Sequence, residues 1–215
     1  MNVAAIHKRA HVYRKIAKDL RSDIARQIYD SDTFRKAMKQ AHHGHTSVAV
    51  HTICVAVISL RIYYYLYEHH IRLNKDFLIK GALLHDLGIV GRYSKYANDV
   101  VCCYRHPIDS ISVAESIFHH VDETIIDSIL HHMFPMTPIP PHHLEGYVLI
   151  AADKYCASVE TAYGKDRSPA AVFLNFIKEE YAQRIHESHI HEKTPPELLQ
   201  TVIPDRRANA EHLWL

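Results

Sequence analysis

The sequence predicts an all-α fold, a single-domain helical bundle, on three observations. Apolar residues recur every three or four positions along most of the chain, which is the signature of helices with one buried face. No stretch alternates convincingly as a half-buried strand would, and no internal repeat is present. Ser, Asn, Asp and Pro stand just ahead of the apolar runs, where helices start. A chain of 215 residues suits one sizeable core, and 47% hydrophobic with 23% charged residues is ordinary for a folded, soluble chain.

From the N-terminus, Ile6, Ala10, Tyr13, Ala17, Leu20, Ile24 and Ile28 place one amphipathic helix over residues 2 to 29. Lys8, Arg9, Arg14, Lys15, Lys18 and Arg21 form its solvated face. Asp30-Ser31-Asp32 caps a short helix from about Thr33 to Ala41, with Gly44 as its stop. Thr46 or Ser47 then caps a helix running to about His70. That helix is apolar on nearly all sides from Val48 to Leu60, so it is central and buried. His51 interrupts it.

Asn74 or Asp76 opens the next helix, which ends at His85-Asp86 with Gly88 and Gly91 beyond. Residues 89 to 104 show no clean period and read as a substrate-facing loop. In His106-Pro107 the proline suits a first helical position, which places His106 at the edge of a helix over about 108 to 119. A further helix starts at Asp122 or Thr124, runs into His131-His132-Met133-Phe134 and is stopped by Pro135. After the crossing at Pro138, Pro140 and Pro141, a helix from Glu145 passes through Val148 to Ala152 and reaches Asp153-Lys154. Ser168-Pro169 begins a last helix ending near Ser188. The organisation expected is N-terminal helices over residues 1–43, a core over 44–165 and a C-terminal helical extension of the same domain over 166–215.

Charge and cysteine usage narrow the setting. Lys plus Arg is 25 against Asp plus Glu at 24, so no field favours a nucleic-acid polymer or an anionic membrane as partner. Cys54, Cys102, Cys103 and Cys156 lack CxxC spacing, which fits a reducing compartment. No apolar signal core opens the chain, and the run from Val48 to Leu60, broken by His51 and Thr52, is too short to span a bilayer. A cytoplasmic protein is expected. Leu213-Trp214-Leu215 offers an apolar end that either packs on a second copy, as in a homo-oligomer, or folds back on its own core.

His51, His85-Asp86, His132 and Asp153 share one property: each interrupts or ends one of the most apolar helices. Buried imidazoles and carboxylates are costly unless paired or metal-bound, so a set of them in core helices points to mutual satisfaction around a cation. His106 adds one more at a helix start. Neutral imidazole with ionised carboxylate suits Zn, Fe, Mn, Ni or Mg.

The order His51, His85-Asp86, His106, His132, Asp153, with Leu84-His85-Asp86-Leu87-Gly88 at its centre, resembles the HD-domain superfamily of metal-dependent phosphohydrolases over about residues 44 to 160. His106-Pro107, His132-Met133-Phe134-Pro135 and Ala152-Asp153-Lys154 resemble small single-domain bacterial members. The resemblance implies that His51, His85, Asp86 and Asp153 hold a first metal, and that Asp86 bridges to a second held by His106 and His132. It places the ligand at His132 rather than the adjacent His131. Two divalent ions, Fe, Mn, Ni or Zn, are therefore expected.

The implied reaction is cleavage of a phosphate ester of a small molecule or nucleotide. Two cations roughly 3.5 to 4 Å apart lower the pKa of a shared water and neutralise charge on a phosphoryl oxygen. Asp86 and Lys154 are the expected catalytic residues, with Arg92, Lys95 and Arg105 as further phosphate contacts. Ile89 stands where cyclic-dinucleotide phosphodiesterases of this superfamily carry lysine, and their Gly-Tyr-Pro motif is absent, which disfavours that substrate. A di-iron oxygenase of the same fold and a non-catalytic binding module are the alternatives. His42, His43, His45, His69, His70, His119, His120, His142 and His143 read as exposed or capping, and Glu145 as a candidate to orient a ligand.

Overall fold

A computed structural model of the protein describes residues 3–42 and 46–163, together with Ala171 and Asn175. The helices are α1 (Val3–Asp19), α2 (Asp23–Tyr29), α3 (Asp32–Ala37), α4 (Val48–Glu68), α5 (Lys75–Leu84), α6 (Arg92–Lys95), α7 (Asp99–Ile117), α8 (Glu123–Leu130) and α9 (Leu144–Tyr163), with a 3-10 turn at Leu87–Ile89. Among the described residues there is no strand beyond a single antiparallel bridge between Ala41 and Ser47. Of the expected last helix from Ser168, Ala171 and Asn175 are described and both are helical; its other residues and the apolar C-terminal end lie outside the described residues.

Most ends are fixed by the expected caps. Ser47 Oγ accepts from Val50 N, Asn74 Oδ1 from Asp76 and Phe77 N, and Asp122 Oδ1 from Thr124 N. Each satisfies a backbone donor that a first helical turn leaves over. The single helix expected over residues 2 to 29 is two, because Ser22 turns extended and its hydroxyl accepts from Ala25 N to start α2. The six basic residues of its polar face are exposed, as read.

The looser segment after Gly91 is shorter than the sequence suggests. Asn98 caps α7 by accepting from Val101 N at 2.9 Å, so His106-Pro107 lies inside a helix rather than at its start. The misreading has a physical reason: Val100, Val101 and Tyr104 in the first turns of α7 are exposed and leave no buried stripe to read.

The core is built on α4, which contacts α1, α3, α5 and α9. By length and composition alone this helix could cross a membrane, being longer than its most apolar run. It is instead walled in by protein, with Val48, Ala49 and every residue from His51 to Leu60 buried. Leu83, Leu84 and Leu87 are fully buried beside it, each such side chain contributing about 2 kcal/mol of transfer free energy. These three bracket His85-Asp86, so the dipeptide is held between fully buried side chains.

Two local devices fix the segment beyond Asp86. Gly88 crosses α7 so closely that a Cβ there would lie 2.3 Å from His106 O and 2.4 Å from Ser110 N. Ser110 Oγ donates to His85 O at 2.6 Å and accepts from Gly88 N at 2.8 Å. Gln40, just beyond α3, donates to Ile89 O and accepts from Gly91 N, where the backbone turns left-handed at φ 82°.

Candidate metal centre

Each of the six residues singled out from the sequence as ligands is brought to one place. His51 comes from the second half-turn of α4, His85 and Asp86 from the end of α5, His106 from the middle of α7, His132 from the turn after α8, and Asp153 from the middle of α9. All six are buried, with relative exposures of 0 to 5%.

Asp86 divides its two oxygens. Its Oδ1 faces His106 Nε2 at 3.2 Å and His132 Nε2 at 3.4 Å, while its Oδ2 faces His51 Nε2 at 3.7 Å and His85 Nε2 at 3.6 Å. Asp153 Oδ1 closes the second group, 3.0 Å from His51 Nε2 and 3.8 Å from His85 Nε2. Nε2 of His106 and Nε2 of His132 are only 3.0 Å apart.

The ring orientations follow from what lies behind them. Nδ1 of His85, His106 and His132 donates to the carbonyls of Ala82, Cys102 and Ile129 at 2.9, 2.7 and 2.6 Å. Nδ1 of His51 donates to Glu160 Oε2 at 2.9 Å, and Glu160 also accepts from Thr46 Oγ1 at 3.1 Å. With the far nitrogen spent on an acceptor, each ring presents Nε2 to the centre, which is how metal-binding imidazoles are aimed. His85 Nε2 is fully buried and has no hydrogen-bond partner. An orphaned lone pair in the core is costly unless an electrophile meets it, so the donor set fits a divalent cation.

Charge in the site points the same way. Burial opposes ionisation of Asp86, but His85, His106, His132 and His42 around it hold the carboxyl well below its usual range. Asp153 is likewise held low against its burial by the hydrogen bond from His51 and by the nearby His85 ring. Burial also opposes charge on His51, yet its bonds to Asp153 and Glu160 lift the ring to about 10; His106, beside Asp86 and Cys102 O, rises to about 10 as well. His132 is pushed down to about 4, chiefly by burial. These directions favour ionised carboxylates facing the imidazoles. A divalent ion competes for the same positions.

Lys154 follows Asp153 and donates to its Oδ2 at 2.8 Å, with the side chain 38% exposed, so it links the buried carboxylate to solvent. Of the other cations singled out, Arg92 is paired with Asp99, Lys95 Nζ donates to Gly88 O at 3.1 Å, and Arg105 is exposed on α7. His131 does not join the centre: its Nδ1 meets Asp127 Oδ1 at 2.9 Å, and the same carboxylate receives the His142 ring and the N–H groups of His142 and His143.

Glu145 and His42 differ from what the sequence predicts. Glu145 does not orient a ligand; its Oε1 accepts from Asn74 N at 2.8 Å, beside an open cleft of about 590 Å³ at the start of α5, the end far from His85. His42 is not an exposed or capping residue: its side chain is 5% exposed, with Nε2 3.0 Å from Asp86 Oδ2 and its ring 4.7 Å from that of His51. Glu160, which the sequence reading passed over, fills the orienting role instead.

These observations define an all-α protein with a buried His/Asp cluster able to hold metal. The HD domain family model matches residues 48–158, more than half of the chain, and the protein belongs to that family. This places it in a superfamily made up mostly of metal-dependent hydrolases that bind divalent metals. No curated protein and no solved structure matches the chain.

Proposed function

We propose that the protein is a metal-dependent phosphohydrolase acting in the cytoplasm on a small phosphorylated molecule, a phosphate ester or a nucleotide, rather than on a nucleic-acid polymer. The observation that carries this reading is the division of Asp86 between two histidine groups, Oδ1 toward His106 and His132 and Oδ2 toward His51 and His85. A carboxylate so placed suits two adjacent cations.

His51, His85, Asp86 and Asp153 would hold one divalent ion, and Asp86, His106 and His132 the other. Such ions, when bound, lower the pKa of water to give a nucleophile at neutral pH and neutralise charge developing on a phosphoryl oxygen. The protein's own residues do the rest. The acceptors behind the rings keep Nε2 of each histidine turned inward, and Glu160 does so for His51. Lys154, between Asp153 and solvent, is positioned to meet a phosphate oxygen with a charge-assisted hydrogen bond.

The test begins with elemental analysis of untagged protein prepared without added metal or chelator, followed by a screen of phosphate esters and nucleotides. About two equivalents of Fe, Mn, Ni or Zn and release of phosphate, both lost in Asp86→Ala while far-ultraviolet circular dichroism is kept, are expected. Phosphate release that persists in Asp86→Ala overturns the proposal.

A further inference from the structure

The family match ends at residues 48 and 158, yet two side chains beyond those limits reach the centre. Glu160 stands behind His51. His42 stands in front of Asp86, its Nε2 3.0 Å from Oδ2 and its side chain 5% exposed. Its position is built by backbone pairing. His42 N donates to Thr46 O at 2.9 Å and Val48 N to Gln40 O at 3.0 Å, across the bridge between Ala41 and Ser47. Gln40 in turn grips Ile89 O at 2.8 Å and Gly91 N at 2.6 Å, fixing this segment to the one that follows Asp86.

We propose that His42 is a fifth imidazole of the centre, a ligand to the ion on the Oδ2 side of Asp86, and that substrate therefore enters on the Oδ1 side. The inference rests on the metal-binding reading above. The donors of the two sides are unequal. His42, His51 and Asp86 offer ligand atoms that converge within 4.8 Å of one another, as do His51, His85 and Asp153. The Oδ2 side thus has five donor residues: His42, His51, His85, Asp86 and Asp153. The Oδ1 side has three, Asp86, His106 and His132.

First-row divalent ions take about four to six ligands, and a position open to substrate occurs where the protein supplies about three. Five donors would leave the first ion room for at most one further ligand. Three donors leave the second ion free positions for a phosphoryl oxygen. The loop carrying His42 thereby decides which of two otherwise similar positions receives substrate.

The test uses the full chain titrated with Co2+ alone. His42→Ala is expected to weaken one of two Co2+ equivalents by roughly tenfold or more while leaving the other unchanged. The visible absorbance of the weakened ion should rise as its coordination number falls. Unchanged affinities and an unchanged spectrum overturn the inference and leave the proposed function standing. Wild-type protein that binds no Co2+ overturns the metal reading and this inference with it. A measurement on wild-type protein guards against a variant that fails to fold. With 15N-labelled histidine and 113Cd, five ring nitrogens should show coupling when both ions are bound and three when only the first is; four and two would overturn the inference.

Discussion

Replacing Gly88 with alanine should damage stability and the metal centre together, and the size of both effects follows from one crossing. The added Cβ would stand 2.3 Å from His106 O and 2.4 Å from Ser110 N, whereas ordinary contact begins at 3.4 Å. The obstructing atoms belong to the α7 backbone, so no side chain can swing aside. The turn and α7 must separate by about 1 Å, near the upper end of overpacking costs of about 1–3 kcal/mol. For a chain of this size that lowers Tm by about 5–10 °C. The same separation carries Asp86, two residues earlier, away from His106, whose Nε2 now lies 3.2 Å from Oδ1. The ion on that side should be lost before the one beside His51. Thermal unfolding followed at 222 nm, with and without Co2+, and Co2+ stoichiometry on the same samples check this. An alanine variant with wild-type Tm and two ions would refute the close-approach argument.

Three further outcomes follow, two from the metal centre and one from the Asp127 cluster beside it. Glu160→Gln keeps the shape of the side chain but removes the charge behind His51, and should weaken one ion about 10–100-fold in calorimetric titration; wild-type affinity would mean that the carboxylate only fills space. Lys154→Met should retain both ions yet lower kcat/KM roughly 10–100-fold for a phosphate ester, the loss of one charge-assisted hydrogen bond of about 1.5–3 kcal/mol; an unchanged kcat/KM removes Lys154 from substrate contact. Although burial opposes its ionisation, the Asp127 carboxyl is held below its usual range by His142, His143 and His131. A depressed carboxyl stabilises the fold above its unfolded pKa, near 4, and that contribution is lost as pH falls through the folded value. Urea unfolding of Asp127→Asn should therefore depend less on pH below about 4 than that of the wild type, and parallel curves would count against the pairing.

Much of the centre is legible in the sequence because core helices advertise their polar intruders. His51, His85, Asp86 and Asp153 stand out against Val, Ala, Ile and Leu on all sides, and periodicity places them on buried faces. His106 is less secure by this route, since the exposed first turns of α7 hide the helix that carries it. Resemblance to the family supplies the choice of His132 over His131; in the structure His132 faces Asp86 and His131 faces Asp127. Glu160 carries a signal that could have been read, two helical turns beyond Asp153 and so on the same face of α9. His42 carries none. It lies in a loop with no period, and backbone pairing of His42 with Thr46 and of Gln40 with Val48 brings it inward.

The bridge between Ala41 and Ser47 bears on how such a protein can be cut and recombined. A fragment trimmed to the matched span, 48–158, would carry every ligand read from the sequence and still lack His42, Thr46 and Glu160. The segment inherited as a recognisable family unit is thus smaller than the segment that makes a finished site. The flanks supply His42, Thr46 and Glu160, so a change outside the matched span can still alter the finished site.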